Sequence, residues 1–331
     1  MADIARLAGV HVSTVSRALA GSPLIERQMR DKILKIAAKQ GYVVNATARN
    51  LRTRRTQTLS VVIPLAHESG QALTDPFFTD MLSHLADEIT QRGYAMHLEK
   101  ILPPMEGWLA ALIGARRSDG IIVIGQSTEH AALEEAAAAY APMVVWGGQL
   151  GRQRYCVVGT DNAGGARLAT EHLLATGRRK IVFVGDPSIP EIRLRREGYE
   201  SAMPKPRGGG TRGRVLTAHM TPAAAYESVR AFIAHGEPFD AVLAATDVIA
   251  LSAMRAIAAS GLAIPGDVAV AGFDDIPMAA HVHPSLTTVR QDVARGAKLL
   301  VDLVLRRLDG EDTPSVMMPA ELVVRESSGG V

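Results

Sequence analysis

The sequence predicts a small all-α headpiece followed by an α/β body of two subdomains with parallel sheets. Three observations carry this. Apolar residues among the first forty or so recur at helical spacing, broken by Gly-containing turns. From residue 57 to about residue 285, short apolar runs alternate with amphipathic helical stretches. The charge changes sign at the same place: residues 1–56 hold 11 Lys and Arg against 3 Asp and Glu, and the remainder holds 25 against 31. A basic block ahead of a larger acidic one suggests an arm for a polyanion and a body with another task. The chain has 331 residues, 47% of them hydrophobic, which is enough for sizeable cores. Its single cysteine, Cys156, excludes an internal disulfide and a cysteine-rich zinc site. No apolar run has the ~18 residues of a transmembrane helix. The opening Met1-Ala2-Asp3-Ile4-Ala5-Arg6 is unlike a secretory signal, so a soluble, cytoplasmic chain with no membrane partner is expected.

The headpiece reads as three helices over residues 1–44. Ile4, Leu7 and Ala8 share a face, and Gly9 ends the first helix. The second fits Val12 to Leu19, with Val15, Ala18 and Leu19 inward, and Gly21-Ser22-Pro23 breaks it. The third fits Arg27 to Gln40, with Met29, Ile33, Ile36 and Ala37 on one face and Gly41 as the residue after its cap. This is the helix-turn-helix pattern. The second helix leaves Val12, Ser13, Thr14, Ser16 and Arg17 outward. Small hydrogen-bonding groups let a helix approach base edges closely, and a guanidinium can bond guanine bidentately. The bland alternative is a three-helix bundle with a solvated face, which ordinarily carries a Glu/Lys mixture instead.

Candidate strands in the body are 59–64, Ala95–Leu98, Gly120–Ile124, Met143–Trp146, Ile181–Val184, Ala241–Ala244 and Val268–Ala271. Helical stretches lie between them at Phe77–Arg92, His130–Tyr140, Ala163–Thr176, Arg193–Ala202, Ala223–His235 and Ile249–Ser260. Repeated βαβ units make two Rossmann-like halves, near 57–158 and 159–285, with crossovers and a C-terminal segment over 286–331. Ligands of such sheets bind at the carboxyl ends of the strands.

The run from Asp3 to Leu19 (DIARLAGVHVSTVSRAL) and the segment Gly41 to Arg52 (GYVVNATARNLR) resemble the headpiece of LacI/GalR-family transcription regulators. The resemblance continues through Asp75-Pro76-Phe77-Phe78, Asp161-Asn162, Arg195-Arg196-Glu197-Gly198-Tyr199 and Gly272-Phe273-Asp274-Asp275. It implies a periplasmic-binding-protein-like body that binds a small effector in a cleft and forms a homodimer. It also implies a second helix in the major groove of operator DNA, with Val12, Ser13 and Arg17 at bases and Thr14 and Ser16 towards phosphates. The stretch 45–56 resembles the family's hinge helix and linker, in which Asn45, Ala48, Arg49, Leu51 and Arg52 contact DNA and Leu51 wedges into the minor groove.

For the effector, the resemblance points to Phe77, Phe78, Asp161, Arg195, Thr246, Asp274 and Gln291. Asp274 would accept hydrogen bonds from a sugar hydroxyl or a base, Arg195 would donate, and a phenylalanine would stack. Asp275 reads as the cap of the short stretch before Pro277. Thr246 stands where some members have an amide, and Met220 where many have an aromatic platform. His11 replaces the usual serine cap of the second helix, and histidine caps poorly. The family's capping threonine ahead of Asp3 is missing, so a start upstream of Met1 is expected, and so is a dimer without the C-terminal tetramerising helix. A sugar effector is favoured, with a purine or another metabolite as the alternative, and no cofactor or metal is expected. His281 and His283 form a possible pair without a third ligand. Neither a nucleophile elbow nor HExxH is present, which argues against an enzyme. A transport binding protein would share the body but have no use for residues 1–56.

Overall fold

A computed structural model describes residues 1–19, 22–42, 55–65, 70–102, 105–205 and 213–329. The chain forms two compact units, Met1–Thr56 and Gln57–Val331.

In the first unit, α1 (Ala2–Ala8), α2 (Val12–Leu19) and α3 (Arg27–Lys39) pack around Ile4, Ala5, Ala8, Val15, Ala18, Ile33 and Ala37. Gly9 and Gly41 follow α1 and α3 with φ of +73° and +58°, a left-handed conformation open to glycine. The next two N–H groups after α3 reach back, Gly41 to the Ala38 carbonyl and Tyr42 to Ala37, which satisfies two orphan acceptors. The Lys32 ammonium covers the Ala8 carbonyl at 3.1 Å, tying α3 to the end of α1.

The second unit contains two six-stranded sheets of the same design. The first is built from β1 (Thr58–Pro64), β2 (Ala95–Ile101), β3 (Gly120–Ile124), β4 (Met143–Trp146), β5 (Cys156–Thr160) and β11 (Val316–Met318), in the order β2-β1-β3-β4-β5-β11. The second comprises β6 (Ile181–Val184), β7 (Arg214–Leu216), β8 (Ala241–Ala244), β9 (Ala269–Asp274), β10 (Thr287–Arg290) and β12 (Glu321–Val323), in the order β7-β6-β8-β9-β10-β12. Each sheet reverses direction next to its first strand, the doubly wound arrangement with a ligand site at the switch.

The first sheet is covered on both faces, which is why its inner strands β1, β3, β4 and β5 read as largely apolar runs. Leu59, Val61 and Ile63 of β1 face α4 (Pro76–Gln91) and α11 (Val293–Leu308). Val62 faces the other way, towards α5 (Trp108–Gly114) and α6 (His130–Ala139). The second sheet packs with α7 (Asn162–Ala175), α8 (Pro190–Ala202), α9 (Pro222–Ala234) and α10 (Asp247–Ala259). Cys156 is buried in the first lobe.

The chain passes between the lobes three times: after β5, between β10 and α11, and between β11 and β12. The first lobe therefore runs to Thr160 and also holds residues 293–318. The sequence reading has no counterpart for α5, α11, β5 or the short strands β7 and β10 to β12. Helix α11 is plainly amphipathic, but alternation alone does not reveal that it returns to the first sheet.

Candidate DNA interface and ligand cavity

In the headpiece, Val15 and Ala18 anchor α2 in the core. Val12, Ser13 and Arg17 are exposed, while Thr14 and Ser16 are half-buried. Ser13 and Arg17 lie four residues apart and so share a face. The helix start differs from the expected weak cap. The His11 carbonyl accepts from Thr14 N–H (2.9 Å) and Val15 N–H (3.2 Å), and its Nδ1 accepts from Ser13 N–H at 3.3 Å. The imidazole thus supplies the acceptor a serine would. Asn45, Ala48, Arg49, Leu51 and Arg52 lie outside the described residues.

In the second unit a cavity lies at the carboxyl ends of both sheets. The first lobe contributes Pro64 and Leu65 after β1, Gln71, Asp75, Phe77 and Phe78 at the start of α4, Ile124 and Gly125 after β3, and Trp146 at the end of β4. The second lobe contributes Glu191, Ile192 and Arg195 of α8, Met220, Thr246 after β8 and Asp274 at the end of β9. Gln291 sits in the second crossing between lobes. One wall is mostly aromatic and aliphatic, the other polar.

The polar wall is tightly organised. Arg195 is buried, and its Nε donates to Asn162 Oδ1 at 2.8 Å. Its Nη1 donates to the Ala245 carbonyl at 2.6 Å and lies 3.5 Å from Asp274 Oδ1. The guanidinium stacks 3.7 Å above the Phe273 ring. Gln291 Nε2 donates to Asp274 Oδ1 at 2.7 Å. Asp274 has a φ of +124°, an unusual backbone for a non-glycine residue, held by these surroundings. Burial drives its carboxyl up to about 7; Arg195 pulls it down and the Asp75 carboxyl pushes it further up. Behind it, Asp247 accepts from the Thr288 hydroxyl (2.6 Å) and from Ile276 N–H (2.9 Å). Burial and the Asp274 charge hold Asp247 well above the usual carboxylate range. Gly272 makes room for this: a Cβ there would stand 2.2 Å from Asp247 Oδ1. Gly198 likewise lets α8 approach α7, since a Cβ would meet the Ala163 carbonyl oxygen at 2.1 Å. That close crossing brings Arg195 to Asn162.

On the other wall, Phe77 is half-buried, with its ring 5.9 Å from Phe78 and 6.2 Å from Trp146. Phe78 is mostly core of the first lobe. Asp75 Oδ1 caps α4 through Phe77 N–H (3.0 Å), and its Oδ2 accepts from Gln71 Nε2 (3.0 Å). Among the described residues, the buried Gln71 Oε1 has no hydrogen-bond partner. Glu191 Oε1 accepts from the Gln126 N–H at 3.0 Å, a bond from the second lobe to the first.

The structure thus brings Phe77, Phe78, Arg195, Thr246, Asp274 and Gln291 to one cavity. Asp161 is not among its lining residues: it is exposed, and its carboxylate caps α7 by accepting from Gly164 N–H at 2.9 Å. An aspartate between a strand and a helix serves as ligand group or as cap, and here the free N–H groups of the helix claim it. Thr246 also caps a helix, accepting from Ile249 N–H at 3.2 Å. Asp275 does not cap the turn at Pro277; it pairs with Arg290 and Arg325, each at 2.7 Å. Trp146, Glu191 and Gln71 escape the sequence reading. Trp146 ends an apolar strand, where a core role is the natural assumption, and the place of Glu191 emerges only when the lobes meet. Among the described residues no group of His, Cys, Asp and Glu could hold a metal ion, and no helix is long and apolar enough to cross a membrane.

A helix-turn-helix unit joined to a two-lobed ligand-binding unit defines a class: DNA-binding regulators controlled by small molecules. Residues 1–45 match the model of the bacterial regulatory proteins of the lacI family, and residues 170–328 match that of the periplasmic binding protein-like domain. CelR of Thermobifida fusca, an HTH-type transcriptional regulator, is 31% identical over 98% of this chain and 96% of its own. MalR of Clostridium butyricum, another HTH-type transcriptional regulator, is 28% identical, covering 98% of each chain. A solved lac repressor dimer bound to operator and the anti-inducer ONPF shares the fold, with a TM-score of 0.84 at 24% identity over 98% of each chain. A solved CelR–cellobiose complex has a TM-score of 0.71 at 29% identity, again over 98% of each chain. The chain belongs to the LacI family and is a DNA-binding transcription regulator.

Proposed function

We propose that the chain is a cytoplasmic, homodimeric repressor whose grip on operator DNA is set by an uncharged saccharide in the cavity between its lobes, and that it catalyses no reaction. The observation that carries the choice of ligand is the charge of the cavity wall. Among the described lining residues, Arg195 is the single cation, against the carboxyls of Asp75, Glu191 and Asp274. Its Nε and Nη1 are engaged by Asn162, Ala245 and Asp274. An anionic ligand, such as a phosphorylated sugar, meets one cation whose charge already faces Asp274, and would have to enter beside carboxyls. A neutral polyol suits the site. Its hydroxyls can donate to Asp274 and to Gln71 Oε1, and its C–H face can lie on Phe77 and Trp146. A solved relative holds cellobiose, which agrees with this choice.

The same site supplies a route to the DNA. Glu191 lines the cavity and bonds the opposite lobe, and Gln291 lies in the crossing between β10 and α11. A ligand bound more tightly in one arrangement of the lobes shifts the population towards it. In a homodimer that shift alters the spacing of the paired headpieces, and coupling of this kind changes affinity by about 5–150-fold. Under this reading, residues 1–44 and the hinge segment 45–56 hold successive major grooves and the centre of a near-palindromic operator. The test is a thermal-shift series on the full chain with cellobiose, glucose, ribose, hypoxanthine and sugar phosphates, followed by operator binding with any ligand that stabilises. Stabilisation by a neutral sugar that also changes operator affinity supports the proposal. Stabilisation by sugar phosphates or hypoxanthine alone overturns the choice of ligand.

A further inference from the structure

The residue that opens the recognition helix does more than cap it. His11 Nδ1 accepts the Ser13 backbone N–H at 3.3 Å and lies 2.9 Å from Ser13 Oγ. A ring nitrogen that accepts an N–H bond carries no proton of its own, so the imidazole proton sits on Nε2. The proton between Nδ1 and Oγ then has to come from the serine: the Ser13 hydroxyl donates to the ring. A serine hydroxyl has one proton and two lone pairs. With its proton directed to His11, Ser13 can only accept from anything that approaches its exposed side.

We propose that His11 is a positioning residue that turns Ser13 into an obligate acceptor, so that α2 selects a base carrying an exocyclic amino group at the position Ser13 faces. An unconstrained serine reads donors and acceptors alike, and in the major groove only adenine N6 and cytosine N4 donate. Arg17, one turn further along the same face, carries donors only. The two side chains therefore read opposite features: Arg17 takes the acceptor edge of guanine, and Ser13 takes an amino group on another base. The inference rests on the reading of Ser13 as a base contact, and the experiment separates the two.

The full chain is used to select a duplex from a randomised pool. Adenine and cytosine in each half-site are then replaced one at a time by purine and 2-pyrimidinone, which lack only the amino group. In the parent, one such replacement should weaken binding about 3–10-fold, the range for a single lost hydrogen bond. In Ser13→Ala the same replacement should change nothing; in His11→Gly, where the serine can also donate, inverting that base pair so that a carbonyl takes the place of the amino group should cost clearly less than it costs the parent. Glycine is nearly as good as a polar residue at this cap, so His11→Gly keeps the helix start without the ring. His11→Asn, which places an acceptor oxygen where Nδ1 stood, should restore the parental penalty for the inverted pair; a mere loss of helix stability would not be rescued in this base-specific way. If no amino deletion affects the parent, or Ser13→Ala keeps its sensitivity, the base contact itself is wrong. If Ser13→Ala loses the sensitivity and His11→Gly keeps the full parental penalty for the inverted pair, the contact stands and the role of His11 is overturned.

Discussion

Replacing Asp274 by asparagine should flatten the fall in stability expected of the parent as pH rises from 5 to 8. The carboxyl is buried beside Arg195 and Gln291 and titrates at about 7, against 3.8 in the open. A raised folded-state value means that the folded chain holds a proton there that the unfolded chain has released. Stability from this group is full below about pH 4 and is lost as pH climbs through 7. From the two values, the loss between pH 5 and pH 8 amounts to ~2–3 kcal/mol. Asparagine keeps an acceptor for Gln291 and removes the titration. The assay is urea denaturation of the full chain at half-unit pH steps, with the body's transition followed. In the parent the midpoint should drop steadily above pH 6, and in Asp274→Asn it should drop much less. Parallel curves would refute the reasoning, because they would mean that Asp274 releases its proton at the same pH folded and unfolded. Saccharide binding should show the reverse trend, strengthening from pH 6 to pH 8 as the carboxylate gains its full acceptor capacity.

Gly272→Ala should destabilise the body by about 2–3 kcal/mol, because the methyl group displaces the Asp247 carboxylate from Thr288 and Ile276; denaturant titration measures this. Phe77→Ala should weaken binding of the stabilising saccharide about 10-fold through loss of the ring face, while stability changes little, since the ring is only half-buried; calorimetric titration checks both. Arg17→Ala should lower specific operator binding and relax sequence choice, and a footprint with unchanged selectivity would contradict that role. Binding of the parent to its operator should weaken steeply with added salt, as phosphate contacts from a basic headpiece require, and a flat salt titration would count against them.

The headpiece was legible because a local pattern suffices there. Ile4, Val15 and Ile33 repeat at helical spacing, and glycines stand where the chain must turn left-handed. The body's βαβ alternation was equally plain. The way remote parts return was not: nothing local in Val293–Leu308 says that this helix seals the first lobe's sheet. Arg195 and Asp274 of the polar wall are legible only through the family resemblance, which singles out their positions. Its apolar partner Trp146 and the cross-lobe Glu191 become site residues only by juxtaposition. Asp161 shows the opposite failure. A residue type suited to a ligand was taken first by the nearest unsatisfied backbone.

The threefold passage of the chain between lobes has a consequence for biogenesis. On the ribosome the headpiece can assemble from its own first residues, but the earlier lobe has to wait for α11 and β11, which are among the last pieces synthesised. Neither half of the sensor can mature ahead of the other, so vectorial synthesis and folding are out of step in this molecule. A nonsense codon near residue 290 would leave both lobes unfinished and remove ligand control entirely, whatever became of the short α-helical unit at the front.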